Sequence, residues 1–190
     1  DWMSQPLQNQ FNHSHSLYIS GGTEGFRFGT DLSYNHEGGV MKKSYRNRMS
    51  VGIYVDYRVG KLQIRNNVSY DLARSSDSPY GSFSDYTKQQ PYYPIYDDNG
   101  KLLQMLAIGI PNPLYEATLG NFSRGESSNL TNNLSFYWFI NDHLQLQSQF
   151  SVTKNDSEDK DFTDPLSTKY GSSDNPFTRG SLSVSSTNNF

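Results

Sequence analysis

Residues 48–72 read RMSVGIYVDYRVGKLQIRNNVSYDL, and apolar side chains take alternate positions on both sides of a break at Gly60-Lys61. Successive side chains of a strand point to opposite faces, so the pattern predicts a long β-hairpin with one apolar and one polar face. What covers the apolar face decides the class of protein. The apolar parity holds Met49, Val51, Ile53, Val55, Tyr57, Val59, Leu62, Ile64, Val68, Tyr70 and Leu72.

The composition excludes several classes of protein. The 190 residues carry a net charge of −3 and include no cysteine, which excludes disulfide scaffolds, Cys-ligated zinc and thiol catalysis. Lysine and arginine are scattered, so nucleic acid is not an expected partner. The mean hydropathy is −0.75 and no run approaches about 20 apolar residues, which excludes membrane-spanning helices.

Period-2 alternation predicts seven strands along the chain. Seven charges lie on the polar parity of these strands, an arrangement that random placement would produce on the order of once in a hundred. The charges are Arg27, Asp31, Arg48, Asp56, Arg58, Arg65 and Asp71. The predicted strands cover about 11–20, 25–35, 48–59, 62–72, 128–140 and 143–154, with a seventh from about 181.

Strand length, loop order and aromatic placement favour a membrane over a sandwich core. The predicted strands have roughly 10 to 14 residues, whereas globular strands have about 5 or 6 and tilted membrane strands about 9 to 11. Short turns alternate with long loops, the longest at about 74–127 and 155–179, as in outer-membrane barrels. Tyr57 and Trp138 lie near short turns and Tyr34 and Tyr70 near long loops, which suits interfacial rings.

The predicted fold is therefore all-β: residues 1–190 form part of the wall of an antiparallel transmembrane β-barrel. The seven polar-parity charges would face the lumen, and further strands are needed for closure, because seven strands leave two unpaired edges. The alternative is a soluble, secreted β-sandwich that binds glycans through an aromatic loop. The environment of Val51, Ile53, Val55, Leu130 and Leu134 distinguishes the two.

The chain resembles the SusC/RagA family of TonB-dependent transporters from Bacteroidetes outer membranes. The resemblance rests on Asp1-Trp2, Ser20-Gly21-Gly22, Glu37-Gly38 and Arg48-x-Ser50, and continues through YYPIYDDNGKLL (92–103), NPLYEATLGNF (112–122) and LTNNLSFYWFINDHLQLQSQFSVTK (130–154). It implies a 22-stranded barrel with a plug, which imports glycan or peptide fragments delivered by a SusD-like surface lipoprotein. Energy would come from the TonB complex, through parts that this sequence does not contain.

A tyrosine-rich segment lies in the longest loop, SPYGSFSDYTKQQPYYPIY at 78–96. Such rings stack on sugars or anchor a partner protein, and they also pack a loop onto itself, helped here by a hairpin turn at Asn99-Gly100. Both interpretations stay open. The candidate ligand- or partner-binding residues are Tyr80, Phe83, Tyr86, Tyr92, Tyr93 and Tyr96.

No catalytic motif is present, so an enzyme is not expected. The acidic run NDSEDKDFTD at 155–164 lacks the glycine and terminal glutamate of an EF-hand and is interpreted as a solvated loop. His13 and His15 share a strand face, but no third ligand is near them in the sequence, so no metal site is predicted. No cofactor is expected.

Overall fold

A computed structural model describes residues 1–170 and 180–190. The chain is all-β, with two short helices, α1 (Phe83–Thr87) and α2 (Pro113–Glu116), and a 3-10 turn at Thr168–Tyr170. The nine strands are β1 (His13–Gly22), β2 (Phe26–Gly38), β3 (Tyr45–Val59), β4 (Leu62–Ser76), β5 (Met105–Ala107), β6 (Ile110–Pro111), β7 (Phe122–Asn141), β8 (Leu144–Thr163) and β9 (Ser181–Asn189).

Seven of the strands form one antiparallel sheet in the order β1-β2-β3-β4-β7-β8-β9, and β5 and β6 form a separate pair. Each strand pairs with the next large strand along the chain, so the sheet is a meander and is not closed within the described residues. The hairpin of residues 48–72 is confirmed, with Val59 opposite Leu62 and a left-handed φ of 56° at Gly60 in the turn. Glycine suits that turn because it adopts positive φ without steric cost.

All seven predicted strands are present, but β7 and β8 are longer than predicted, with 20 residues each. The interpretation of the acidic run as a loop is therefore wrong for residues 155–163. These residues belong to β8 and pair with β7 on one side and with β9 on the other. The loop predicted at 155–179 begins only after Thr163, and its residues 171–179 lie outside the described residues. The loop predicted at 74–127 spans 77–121 and contains α1, β5, β6 and α2.

Most side chains on one face of the sheet, here called the apolar face, are apolar, with Thr30, Asn66, Asn132 and Ser148 as polar members of that face. One row runs from Leu17 through Leu32, Val51 and Tyr70 to Leu130, each directly opposite the next. Most of the large side chains on this face are exposed, including Ile53 and Leu130. Within residues 1–170 and 180–190, no second sheet packs on it as a sandwich would require.

The apolar face changes character toward the end of the sheet that carries the long loops. Lys154 lies opposite Leu130 and forms an ion pair with Asp156, and beyond it Lys160 pairs with Glu158 on the same strand. Arg74 and Glu126 continue this charged zone on β4 and β7, with a contact of 2.7 Å. The apolar band therefore ends at a boundary of ion pairs.

The buried core lies outside the large sheet, in a structure here called the loop cap: residues 1–10, 39–44, 77–121 and 164–170. Its centre consists of Trp2, Tyr86 and Leu106. Packed against them are Met41, Tyr80, Tyr93, Ile95, Ile110 and Leu114. The segments 39–44, 77–121 and 164–170 lie at one end of the sheet because the strands that they join are antiparallel, and residues 1–10 lie there with Leu7 bridged to Met41.

In the described part of the chain, neither helix has the length and apolar character needed to cross a bilayer.

Candidate functional site

The N-terminal segment fixes the loop cap to the β2–β3 loop. Leu7 forms a bridge with Met41, and the Lys42 backbone N–H donates to the Pro6 carbonyl at 2.7 Å. The indole N–H of Trp2 donates to the Gln90 carbonyl at 3.1 Å, across 88 residues of chain. These bonds place a buried tryptophan beside the tyrosine-rich segment.

Helix α1 presents Tyr86 to the core. Ser82 caps the helix and forms a capping box with Asp85. The Ser82 side chain accepts from the Asp85 backbone N–H, and the Asp85 side chain accepts from the Ser82 backbone N–H. The ring of Tyr86 is 1% exposed, and its hydroxyl has no hydrogen-bond partner among the described residues. Burial raises the pKa of Tyr86 well above that of a free tyrosine.

Asn112 joins three parts of the loop cap from a fully buried position. Its amide nitrogen donates to the carbonyls of Leu103 (2.7 Å) and Ile95 (3.3 Å), and its oxygen accepts from the Leu114 N–H at the start of α2. Asparagine followed by Pro113 is a helix-start signal, because the side chain caps the helix and proline suits its first turn. The buried amide is thus fully bonded.

Glu116 connects the cap to the segment after β8. One carboxylate oxygen accepts from the Thr168 backbone N–H at 2.7 Å and from the Thr168 hydroxyl, and the other accepts from Ser167 Oγ at 2.9 Å. Asn121 Nδ2 also donates to this second oxygen, at 3.1 Å. Burial, with a contribution from Glu116 and Asp164, raises the pKa of the neighbouring Tyr115.

The structure separates the six candidate aromatic residues into three groups. Tyr86 lies in the core, and Tyr80 and Tyr93 pack against that core while also lining a cavity of about 420 Å³. Tyr92 is 76% exposed, Tyr96 is 54% exposed and Phe83 is partly exposed. Self-packing and open ring surfaces therefore both occur. The predicted Asn99-Gly100 turn is present, with Gly100 N–H donating to the Asp97 carbonyl and a bridge from Tyr96 to Leu102.

The seven predicted lumen charges share the second face of the large sheet, here called the polar face. Asp56 is at their centre: Arg65 Nε donates to it at 2.9 Å, and Gln63 Nε2 contacts both of its oxygens at 2.7 and 3.0 Å. Arg27 is opposite Asp56 on β2. The guanidinium of Arg65 also lies 5.3 Å from the ring centroid of Tyr137.

The remaining predicted charges do not join that centre. Arg58 lies over the ring of Phe139, 5.2 Å from its centroid, and Arg48 lies 3.8 Å from Glu37. Asp31 lies across Gly52, so a Cβ at residue 52 would collide with its carboxylate. Asp71 pairs in register with Ser50 and Asn129. Sequence reasoning missed Tyr137 and Phe139 as partners of the arginines, although their parity already places them on the polar face.

The histidines are closer together than the sequence indicates. His36 lies directly opposite His13, with ring centroids 5.2 Å apart, and His15 is 5.1 Å from His13. The β1–β2 register brings His36, a third histidine that is distant in the sequence, beside this pair. Even so, no group of three or more metal-ligating residues in the described ranges has a geometry that could hold an ion.

These features define the class that can be stated for this chain: an all-β protein with an open seven-stranded antiparallel sheet and a buried loop cap at one end. The chain matches no protein-family model, and no curated protein is significantly similar to it.

Proposed function

We propose that the chain forms part of the wall of a β-barrel in a bacterial outer membrane, and that this barrel imports glycan or peptide nutrients. The observation that carries the proposal is the exposed apolar face of the sheet, on which one row of apolar side chains runs across five strands. A large exposed apolar patch is a binding surface for apolar material, and lipid is the partner that fits a patch as wide as a sheet.

The height of the apolar band supports lipid as that partner. On β8 the apolar face extends from Leu144 to Val152, nine residues with Ser148 as the one polar member on that face, before Lys154 ends it. Nine residues extend about 30 Å, and a strand tilt of about 40° reduces this to about 23 Å. An outer-membrane barrel presents an apolar band about 25 Å tall.

The placement of charges and rings supports the same partner. A lysine or arginine facing lipid at mid-membrane costs about 2 to 4 kcal/mol, and the apolar rows below Lys154 contain none. Tyr57 and Trp138 flank the band near the short turns, and Tyr34 and Tyr70 flank it near the loops; all four rings are exposed on the apolar face. Rings at both margins suit the two membrane interfaces.

On this proposal the loop cap faces the outside of the cell and the polar face lines the lumen. The exposed rings of Tyr92 and Tyr96 offer contacts to a SusD-like surface lipoprotein or to a ligand. A TonB complex would supply energy through other parts of the protein. A secreted β-sandwich is the second candidate, but it needs a second sheet over the apolar face.

Tryptophan fluorescence in brominated lipid tests the proposal, because this sequence has two tryptophans in different places. Trp138 is 47% exposed on the apolar face, whereas Trp2 is 6% exposed in the loop cap. In the full-length protein reconstituted in vesicles, we expect brominated acyl chains to quench the signal that Trp138→Phe removes.

The matched control is Trp2→Phe, which should remove a signal that brominated lipid does not quench. Equal quenching of both signals, or of neither, would contradict a lipid-facing sheet.

A further inference from the structure

Two basic residues at the loop end of the sheet, Lys43 and Arg124, form no ion pair within the part of the chain that the structure describes. Both are exposed. The cations of the charged zone differ from them, because each lies 2.7 or 2.8 Å from a carboxylate oxygen: Arg74, Lys154 and Lys160. Lys43 and Arg124 therefore carry charge that another group can bind.

The register of the described strands places Arg124 in a row without a carboxylate. Arg124 on β7 lies directly opposite Lys160 on β8 and Ser76 on β4, and Tyr45 on β3 follows Ser76 in the same row. Like charges directly opposite each other destabilise a sheet. The ion pair of Lys160 with Glu158 offsets one of these two charges. A bound anion would offset the other.

A cavity of about 300 Å³ joins Lys43 to this row. It is lined by Lys43, Tyr45, Ser76 and Arg124, and Asp77 is the one acidic residue among the described residues that line it. Two cations and two hydroxyl groups suit phosphate oxygens, which accept hydrogen bonds from all of these groups. Lys43 has a φ of 65°, the one positive φ of a non-glycine residue in the described ranges, and such strained residues often occur at binding sites.

We propose that this cavity binds a phosphate group on the headgroup of an outer-leaflet glycolipid, an inference that rests on the proposed function and adds a specific lipid to it. The row of Tyr45, Ser76 and Arg124 belongs to the apolar face, the side of the sheet that would contact the membrane. A solute in the lumen would meet the opposite face. The partner is therefore a component of the membrane.

The height of the row selects the kind of lipid. Ser76 lies four residues beyond Leu72, the last apolar side chain of β4 on this face. Four residues extend about 13 Å, which a strand tilt of about 40° reduces to about 10 Å along the membrane normal. Phospholipid headgroups occupy about 5 to 8 Å at each surface of a bilayer. A phosphate carried on a sugar headgroup extends further from the acyl chains, so a phosphorylated glycolipid fits better than a phospholipid.

Native mass spectrometry of the full-length protein in a neutral detergent tests the inference. The probes are a rough lipopolysaccharide, whose sugars carry phosphate, and the same lipopolysaccharide after removal of its phosphate groups. We expect the phosphorylated form to bind at least tenfold more tightly, because only this form accepts charge-assisted hydrogen bonds through phosphate. The double variant Lys43→Gln, Arg124→Gln should weaken binding of the phosphorylated form at least fivefold and leave binding of the other form unchanged.

Two further variants control for general effects. Arg48→Gln removes a cation from the polar face and should change binding of the phosphorylated form less than twofold. Arg124→Gln alone leaves the left-handed backbone at Lys43 untouched and should weaken this binding at least twofold. Circular dichroism verifies that each variant keeps its strand content.

Equal binding of the two forms of lipopolysaccharide would overturn the inference, as would an unaffected double variant. Displacement of the lipid by an equal concentration of inorganic phosphate would also overturn it, because the site would then bind the free anion. Quenching of the Trp138 signal by brominated lipid, together with equal binding of the two forms, would refute the headgroup site alone and leave the barrel wall supported.

Discussion

The ring of Tyr54 lies directly over Gly29, the residue opposite it on β2, and its hydroxyl is 3.4 Å from that of Tyr18. A Cβ on Gly29 would collide with the ring. We expect Gly29→Ala to displace Tyr54 and to lower the free energy of unfolding by about 1 to 3 kcal/mol, the usual cost of overpacking. Urea titration of the protein in lipid vesicles measures it.

The same substitution in a Tyr54→Ser background is the control, because the smaller side chain leaves room for a methyl group. The cost of Gly29→Ala should fall below about 0.5 kcal/mol there, as double-mutant cycles show for contacting residues. If Gly29→Ala costs as much in the Tyr54→Ser background as in the parent, the collision is not with the ring of Tyr54.

Asn112 should be the most sensitive polar residue of the loop cap. Asn112→Ala removes a helix cap and leaves the carbonyls of Ile95 and Leu103 without that donor, so we expect a loss of about 2 to 3 kcal/mol. Hydrogen exchange of amides 95–115 reports the local stability. Asn99→Ala, at an exposed turn, is the matched control and should have little effect; equal effects of the two substitutions would show that the buried amide bonds contribute nothing.

The residues that the sequence placed correctly are those with local signals. The β3–β4 hairpin is specified by alternation and a glycine turn, both readable within residues 48–72. The first six residues of β7, FSRGES at 122–127, were missed because Phe122 is the one apolar residue among them and alternation disappears. Those residues lie in the charged zone beyond the apolar band, and the apolar partner of Phe122 is Phe162 on β8, far away in the sequence, so no local pattern selects one face.

The loop cap could not be predicted because its contacts join distant segments. Trp2 contacts Tyr86 and Leu106 only after the N-terminal segment and the long β4–β7 connection fold together. No periodicity in the sequence predicts these contacts. Local signals existed for its helices: Ser82 with Asp85, and Asn112 with Pro113. They predict two helix starts but not the core between them.

Tyr86 should make the loop cap sensitive to alkali. Burial raises its pKa in the folded state, whereas the unfolded state ionises near pH 10. The stabilising contribution is therefore complete below about pH 10 and is lost as pH rises above it, by up to about 1.4 kcal/mol per pH unit. Trp2 fluorescence, in a Trp138→Phe background, follows unfolding of the cap between pH 8 and 11.

The variant Tyr86→Phe isolates this effect from ionisation of the other tyrosines. The hydroxyl of Tyr86 that this variant removes has no hydrogen-bond partner among the described residues. We therefore expect the stability of the variant at pH 8 to be unchanged or raised, and its loss of stability above pH 10 to be smaller than in the parent. Tyr92→Phe, on an exposed ring, is the matched control. If Tyr86→Phe and the parent lose the same stability above pH 10, ionisation of Tyr86 is not the cause of the alkaline unfolding.

The two faces of β8 should differ in solvent access at adjacent residues. Gln149 lies on the polar face and Phe150 on the apolar face, where it is 61% exposed, and the sequence has no cysteine of its own. In vesicles, we expect Gln149→Cys to react with a water-soluble maleimide at least tenfold faster than Phe150→Cys, because lipid would cover residue 150. The two cysteine variants should react at equal rates after transfer to urea. If Phe150→Cys reacts as fast in vesicles, water covers the apolar face and the barrel wall is the wrong assignment.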